Sequence, residues 1–303
     1  MTNPISNLAV RLHQAVVEPA IALALRGPRL RLFGMVAVDR DELAVDWHRP
    51  VDCCAPCPLH TDRVPKLLRR YARQSAKGAI WSERTRLTPM LLQLDRLPDA
   101  AAFDALLKQR SSRTLSKIRR AQRLGYGARQ FMLASHVEDM HAIRTSMAFR
   151  TAGPVFDRWF LKPEHIGLPA TERLSVAAPC CPVHWTIWWG VFAPEPGHRQ
   201  NAVELGERLV AYVKVMRIGD VVHYTEIMGH RDRLADGVML LLHHEIVRWL
   251  IAQEEPAAQG AKVLLYGAAE HGGTGLLTWK KRAGFRPGRL RLAGAIHDAA
   301  ERA

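Results

Sequence analysis

Long apolar runs are missing from this sequence. The most apolar N-terminal stretch, Leu8 to Leu25, is broken by Arg11, His13 and Glu18. A bilayer-spanning helix needs about 20 mostly apolar residues, so none is read here. The stretch does not read as a secretory signal either, because no basic segment precedes an unbroken apolar core. A cytoplasmic protein is expected. Cysteine is sparse and odd in number, five in 303 residues, which speaks against a secreted disulfide framework. Acidic residues are outnumbered: 29 Asp and Glu against 43 Lys and Arg leave a formal net charge of +14. That balance draws a chain to nucleic acid, anionic cofactors or anionic lipid, and selects none of them. Lysine is also scarce, at 9 of the 43 basic residues, so the adjacent Lys280 and Lys281 stand out. No internal repeat shows.

What is present suffices for a folded core, since 48% of the residues are hydrophobic. Helical spacing marks residues 1–26, a strand is expected over Leu32–Val38, and Glu42–Trp47 is its expected hairpin partner. Residues 49–61 hold prolines and cysteines and read as irregular; a basic helix and a short strand at Ala79–Trp81 follow. A strand ending at Asp95 leads into one long helical region from Asp99 to Leu124, closed by Gly125. A strand and a helix follow, the helix with Val137, Met140, Ile143 and Met147 on one face. After an irregular stretch, residues 184–292 give three antiparallel strands, two of them joined at Gly219-Asp220, then a helix with almost no polar face, a buried strand, a short helix and a last strand. This is a mixed α/β (α+β) layer fold with a central mixed sheet flanked by helices.

Several residues carry candidate chemistry. Arg113, Lys117, Arg119, Arg120 and Arg123 form an acid-free basic helix, which is either a solvated face or a phosphate-contacting patch. Lys280 stands four residues after Leu276, near the apolar side of its helix, while Lys281 points about 100° away. We therefore assign Lys280 to function and Lys281 to solvent; an ammonium beside an apolar floor can stabilise a phosphate or an oxyanion. Cys53, Cys54 and Cys57 in "CCAPC", and Cys180, Cys181 and His184 in "CCPVH", offer zinc-type ligands at two-residue spacings. The clusters lie far apart in the chain, so the expectation is small buried cysteines, with no metal and no cofactor assigned. A period of two through "HYTEIMGH" puts Tyr224, Glu226 and Met228 on one strand face. Glu226 there needs a role or a partner such as Arg217. His243 and His244 sit in the apolar helix, where at least one reads as a core histidine.

The element order of residues 184–292 resembles the acyl-CoA N-acyltransferase (GNAT-like) superfamily, closest to the peptidoglycan-bridge aminoacyltransferases. Two stretches carry it: Ser112–Phe131, a basic helix, a glycine and a strand, and Gly273–Pro287, with Gly275-Leu276, Trp279-Lys280 and Gly284-Phe285. The likeness spans residues 88–292 and implies a GNAT-like domain at 111–303. Residues 1–110 are then an N-terminal α/β region, for which a trimmed, degenerate copy of that domain is one reading. The resemblance implies a strand bordering the acyl site, where Glu226, Tyr224 or His230 would hold or deprotonate the attacking amine. It implies Lys280 facing the aminoacyl end of the donor. The superfamily's glycine-rich pyrophosphate loop is here "GHRDRLADG", with glycines only at its ends and with Arg231 and Arg233 as phosphate contacts. That departure favours aminoacyl-tRNA over acyl-CoA as donor, with a small-molecule or peptide amine as acceptor. Three functions follow: aminoacyl transfer from charged tRNA, acyl-CoA-dependent N-acyl transfer, and non-catalytic nucleic-acid binding on the same fold.

Overall fold

Stretches of β-branched and aromatic residues separated by glycine and proline make the described part of this chain strand-rich, around five helices of nine residues or more. The computed structural model describes residues 42–47, 57, 68, 71–73, 87–150, 153–155 and 157–293. Strands β1 (Glu42–Val45), β2 (Ala72–Arg73) and β3 (Pro89–Gln93) precede helices α1 (Ala100–Arg110) and α2 (Thr114–Arg123). Strand β4 (Gly127–Phe131) leads through a 3-10 turn into α3 (Val137–Thr145). Short pieces follow: β5 (Phe149–Arg150), β6 (Gly153–Pro154), α4 (Asp157–Phe160) and α5 (Pro163–Ile166). Then come β7 (His184–Pro194), a ribbon of β8 (Arg199–Gln200) and β9 (Val203–Glu204), β10 (Glu207–Ile218) and β11 (Val221–Gly229). A 3-10 segment, Arg231–Asp236, feeds α6 (Val238–Ala252); β12 (Val263–Ala268), α7 (Gly273–Arg282), β13 (Arg286–Pro287) and β14 (Arg289–Leu292) complete the chain described.

Seven strands form the central sheet in the order β13-β3-β12-β11-β10-β7-β4. All neighbours are antiparallel except β11 and β12, so the sheet is mixed, as the sequence pattern predicts. Residues 89–110 belong to this same sheet and core, through β3 and through Phe103 and Leu107 of α1. One face is covered by α1, α2 and α6. The other carries α3 at one end and a small sheet, β1-β14-β2, at the other.

Four expectations meet a different outcome. The last strand does not extend the main sheet: β14 pairs in parallel with β1 and β2. Pro287 ends β13, and the turn at Gly288 passes so close to Leu91 that a Cβ would come within 2.9 Å of it. Leu290 and Leu292 then bury against Val45, Leu68 and Tyr71. The helical region 99–124 is two helices, parted where Ser111 is extended (φ −165°, ψ 120°). Consecutive serines compete for backbone groups and favour such breaks. Asp99 caps α1, its carboxylate accepting from the Ala102 N–H at 2.7 Å. The stretch read as irregular holds two short helices, α4 and α5. Finally, β11 carries a bulge: Lys214 faces Glu226 and Val215 faces Tyr224, which leaves Thr225 unmatched. Leu32–Val38, the 1–26 helix and the Ala79–Trp81 strand lie outside the described residues. Among the described residues, no helix is long and apolar enough to cross a membrane.

Helix α6 explains the position of everything near it. Val238, Leu241, Leu242, Ile246, Val247 and Leu250 are buried between the sheet and helices α1 and α2. Each such side chain contributes about 1.5–3 kcal/mol of burial free energy. Leu242→Ala should lower stability by about 2–5 kcal/mol in urea unfolding, whereas Leu124→Ala, at a position 51% exposed, should stay within about 0.5 kcal/mol. Equal effects would contradict this packing.

Candidate functional site

The parallel pairing of β11 with β12 lasts only three residues, Val221–His223 against Val263–Leu265. Beyond His223 the strands part. Where they part, a cleft of about 380 Å³ opens, lined by Ile227, Met228 and Gly229 of β11, Tyr266 of β12, Met239 of α6, and Leu276 and Trp279 of α7. Met147 and Leu234 add to its rim. The lining is apolar, with the Tyr266 ring edge-on to Trp279 at 5.7 Å. Such a slot suits a thin, mostly apolar group with a polar end.

The bulge at Thr225 decides which β11 side chains reach which face. Tyr224 turns to the α6 side and Glu226 to the α3 side, so the two do not share a face as a strict period of two predicts. Tyr224 is fully buried, its hydroxyl donating to His243 Nδ1 at 3.1 Å. His243 Nε2–H in turn donates to the Ala283 carbonyl at 2.8 Å. Burial drives the Tyr224 phenol well above its ordinary pKa and pulls His243 down to about 4. Tyr224 is thus a proton donor in a link between β11, α6 and the end of α7. His244, the other histidine of that helix, pairs with Asp104 at 2.8 Å.

Glu226 is half-buried on the other face. Its partner is Arg144 of α3, not Arg217, and Tyr212 donates to the same carboxylate oxygen at 2.6 Å. Arg144 Nε also donates to the Tyr212 hydroxyl at 2.9 Å. Burial pulls the Arg144 guanidinium down, but Tyr212 and Glu226 together hold it above its ordinary value. Neither Arg144 nor Tyr212 stands out in the sequence; Arg144 is one arginine among many, and Tyr212 lies 14 positions from its partner. Met228, next but one to Glu226, lines the cleft, so this triad borders it. A second buried network, Asp139 with His136 and His198, was equally silent in the sequence; Asp139 accepts from His198 at 3.1 Å and from the Leu209 N–H at 2.9 Å.

Lys280 is 1% exposed, while Lys281 is exposed. The Lys280 ammonium donates to the Ala268 carbonyl at 2.8 Å and lies 4.7 Å from the centre of the Tyr266 ring. It is therefore behind the cleft wall and is not among the lining residues. Burial lowers its pKa to about 8, against the pull of Glu270. His230 sits where β11 ends, partly exposed, its ring accepting from the Asp232 N–H at 3.4 Å.

All of Arg113, Lys117, Arg119, Arg120, Arg123, Arg231 and Arg233 are exposed. Helix α2 and the 3-10 segment abut: a Cβ on Gly237, whose φ is +91°, would come within 2.7 Å of the Lys117 carbonyl oxygen. Arg120 pairs with Asp236 at 3.3 Å, and Tyr126 donates to the same carboxylate at 2.9 Å. The basic helix and the basic loop thus form one surface, but none of these side chains lines the cleft.

The two cysteine clusters are not independent. Cys57, Cys181 and His184 are buried together beside the start of β7, while Cys180 is exposed. Separation in sequence was no guide to distance. Cys53 and Cys54 lie outside the described residues.

No family model matches the chain, and no curated protein matches it. Among solved structures it is similar to a tandem GNAT protein from the clavulanic acid biosynthesis pathway, without AcCoA, at a TM-score of 0.36 and 12% identity over 71% of this chain and 57% of that one. The chain thus spans just over half the length of that structure. A likeness this slight carries no argument; what the site can do rests on its own geometry.

The lowered pKa of Lys280 makes a sign-definite prediction. The unfolded lysine holds its proton up to about pH 10.5, while the folded one releases it near 8. Between those values the unfolded state binds more protons, so stability should rise with pH across that window and not below it. Against Lys280→Met, which cannot titrate, the wild type should gain on the order of 1–3 kcal/mol between about pH 7 and pH 10. A flat difference in unfolding free energy would show that the ammonium is solvated.

Proposed function

We propose that the chain is an acyltransferase of the GNAT-like kind, taking the aminoacyl group of a charged tRNA and passing it to an amine. The observation that carries this reading is the parting of β11 and β12 over an apolar cleft, with the exposed basic residues of α2 next to the 3-10 segment whose Leu234 lines its rim. A parted strand pair leaves main-chain groups facing the gap, which can orient an extended acyl group. Lys117, Arg119, Arg123, Arg231 and Arg233 would meet donor phosphates, and Arg120 less so because Asp236 already answers it. Glu226, held by Arg144 and Tyr212, would receive the acceptor's ammonium at the rim. The reaction joins the amine nitrogen to the acyl carbon and breaks the ester C–O bond. Of the two protons the ammonium loses, one passes to solvent before attack and the other travels by way of Glu226 to the released hydroxyl. Most of the rate would come from positioning. Lys280 enters as a positioning residue, fixing Tyr266 and the end of β12 as one wall of the cleft.

One observation favours a second donor. The cleft lies beside the N-terminal turn of the 15-residue α6, where free N–H groups attract phosphate. Acyl-CoA is therefore the competing donor. Incubation with total charged tRNA against an acyl-CoA panel, scored by deacylation and by thiol release, separates the two. Deacylation dependent on an added amine is expected; thiol release alone would transfer the reading to acyl-CoA. tRNA retention without either product would leave nucleic-acid binding on this fold.

Two variants probe the roles. Glu226→Gln should reduce single-turnover transfer by about 100-fold or more while leaving tRNA affinity unchanged. Arg119→Ala with Arg123→Ala should leave the chemistry intact and reduce the dependence of log affinity on log salt by at most about two. A salt-independent affinity would remove tRNA as donor.

A further inference from the structure

We propose that Cys57, Cys181 and His184 bind a structural zinc ion that fastens the segment carrying Cys57 to the first residue of β7. The three ligand atoms lie within 4.8 Å of one another, and all three residues are buried. Cys57 Sγ is 3.3 Å from His184 Nδ1. Metal–sulfur bonds of about 2.3 Å and metal–nitrogen bonds of about 2.0 Å place tetrahedral donors roughly 3.5–3.8 Å apart, close to this triangle.

The imidazole is already in the tautomer a metal needs. His184 Nε2 is 2.8 Å from the Trp47 carbonyl, which can only accept, so Nε2 carries the hydrogen. Nδ1 is then a lone pair directed at the thiols. A ligating histidine whose other nitrogen donates to a backbone carbonyl is the usual outer-shell arrangement of zinc sites. Two thiolates and an imidazole are soft-to-borderline donors that suit zinc and not calcium or magnesium.

The side chains around the cluster hold its Cys181–His184 segment in place. Arg217 is 1% exposed and interacts with Cys181. It also donates to the carbonyls of Pro182, Ala257 and Gly219 at 2.8–3.1 Å. Trp185 Nε1 donates to the Pro182 carbonyl at 3.1 Å and to Ala257 at 3.0 Å. The Cys181–His184 segment is therefore held from both sides. Cys181 and His184 are separated by two residues, a chelate spacing that Cys54 and Cys57 repeat in the sequence. Loading releases the Cys57 and Cys181 thiol protons to solvent, so affinity should fall as pH falls.

The site lies at the turn end of β11, since His184 pairs with Ile218 and the cleft begins at the far end of the same strand. Its role is thus structural and independent of acyl transfer.

The full chain, purified without a metal-affinity step, should hold about one zinc per molecule by elemental analysis. Cobalt exchanged into the site should give a thiolate-to-metal charge-transfer band, whose intensity also reports whether a third thiolate fills the fourth position. Cys57→Ser, Cys181→Ser and His184→Ala should each lose the metal, with Cys180→Ser retaining it. Should those variants fail to fold, the wild type answers alone: a strong chelator should make Cys57 and Cys181 open to alkylation and lower Tm by several degrees. Protein with no zinc and no cobalt band, a Cys57–Cys181 disulfide in the mass spectrum without reductant, or alkylation indifferent to chelator would each overturn the proposal.

Discussion

The arrangement depends on a parallel strand pair that is allowed to run for only three residues. β11 and β12 meet at Val221–His223 and then separate, because the bulge at Thr225 turns β11 while β12 ends at Ala268. Had the pair continued, Tyr266 and Ile227 would occupy a closed sheet and no cleft could form between them. The split also sets the helices. α6 must begin beside the open end of β11, and α7 must close the side that β12 leaves uncovered. Lys280 makes that closure firm by giving its ammonium to the Ala268 carbonyl, a group at a strand end with no ladder partner in β11. The same carbonyl accepts from the His271 N–H at 3.1 Å, so the Lys280 ammonium takes its second lone pair and ties the strand end to α7.

The hairpin of β10 and β11 has two ends of different character. At the cleft end the side chains are apolar with a bordering carboxylate. At the turn end Gly219 is so close to Asp46 that a Cβ would approach its carbonyl oxygen to 2.3 Å. Asp220 accepts from the Asp46 N–H at 2.9 Å and from Lys262 at 2.9 Å, and Arg217 collects three carbonyls. That end is fastened by hydrogen bonds to chain segments distant in sequence. The rigidity of the turn end lets the other end stay open without loosening the sheet.

Much of this was legible from the letters. Gly219-Asp220 between alternating segments announced the hairpin, and the unbroken apolarity of α6 announced its burial. Lys280 and Lys281 were separable by the 100° step of a helix. The bulge was not legible: Thr225 is β-branched and looks like any strand residue, and only the opposing register reveals the extra position. With it went the face assignment of Glu226 and its partner, since Arg144 comes from a helix 82 positions away. The Cys57–His184 contact spans 127 positions, and no local pattern encodes such a distance. The departure of β14 from the main sheet was signalled in part by Pro287-Gly288, a pair that breaks a strand without saying where the chain goes next.

The distribution of charge follows from the same layering. A chain with an excess of 14 positive charges must keep them solvated, and the sheet offers no interior place except where carbonyls or carboxylates converge. Arg144, Arg217 and Lys280 take those places, each answered by named oxygens or a ring. The remaining basic side chains of α2 stay outside because its inward face is spent on Ile118 and Ala121. A helix that must pack on α6 through one narrow apolar stripe, and is acid-free elsewhere, presents its positive side to solvent directly beside the loop that leads into the cleft. The exposed basic face is therefore a consequence of how α2 is anchored, and its contact at Gly237 joins α2 to the segment whose Leu234 lines the cleft.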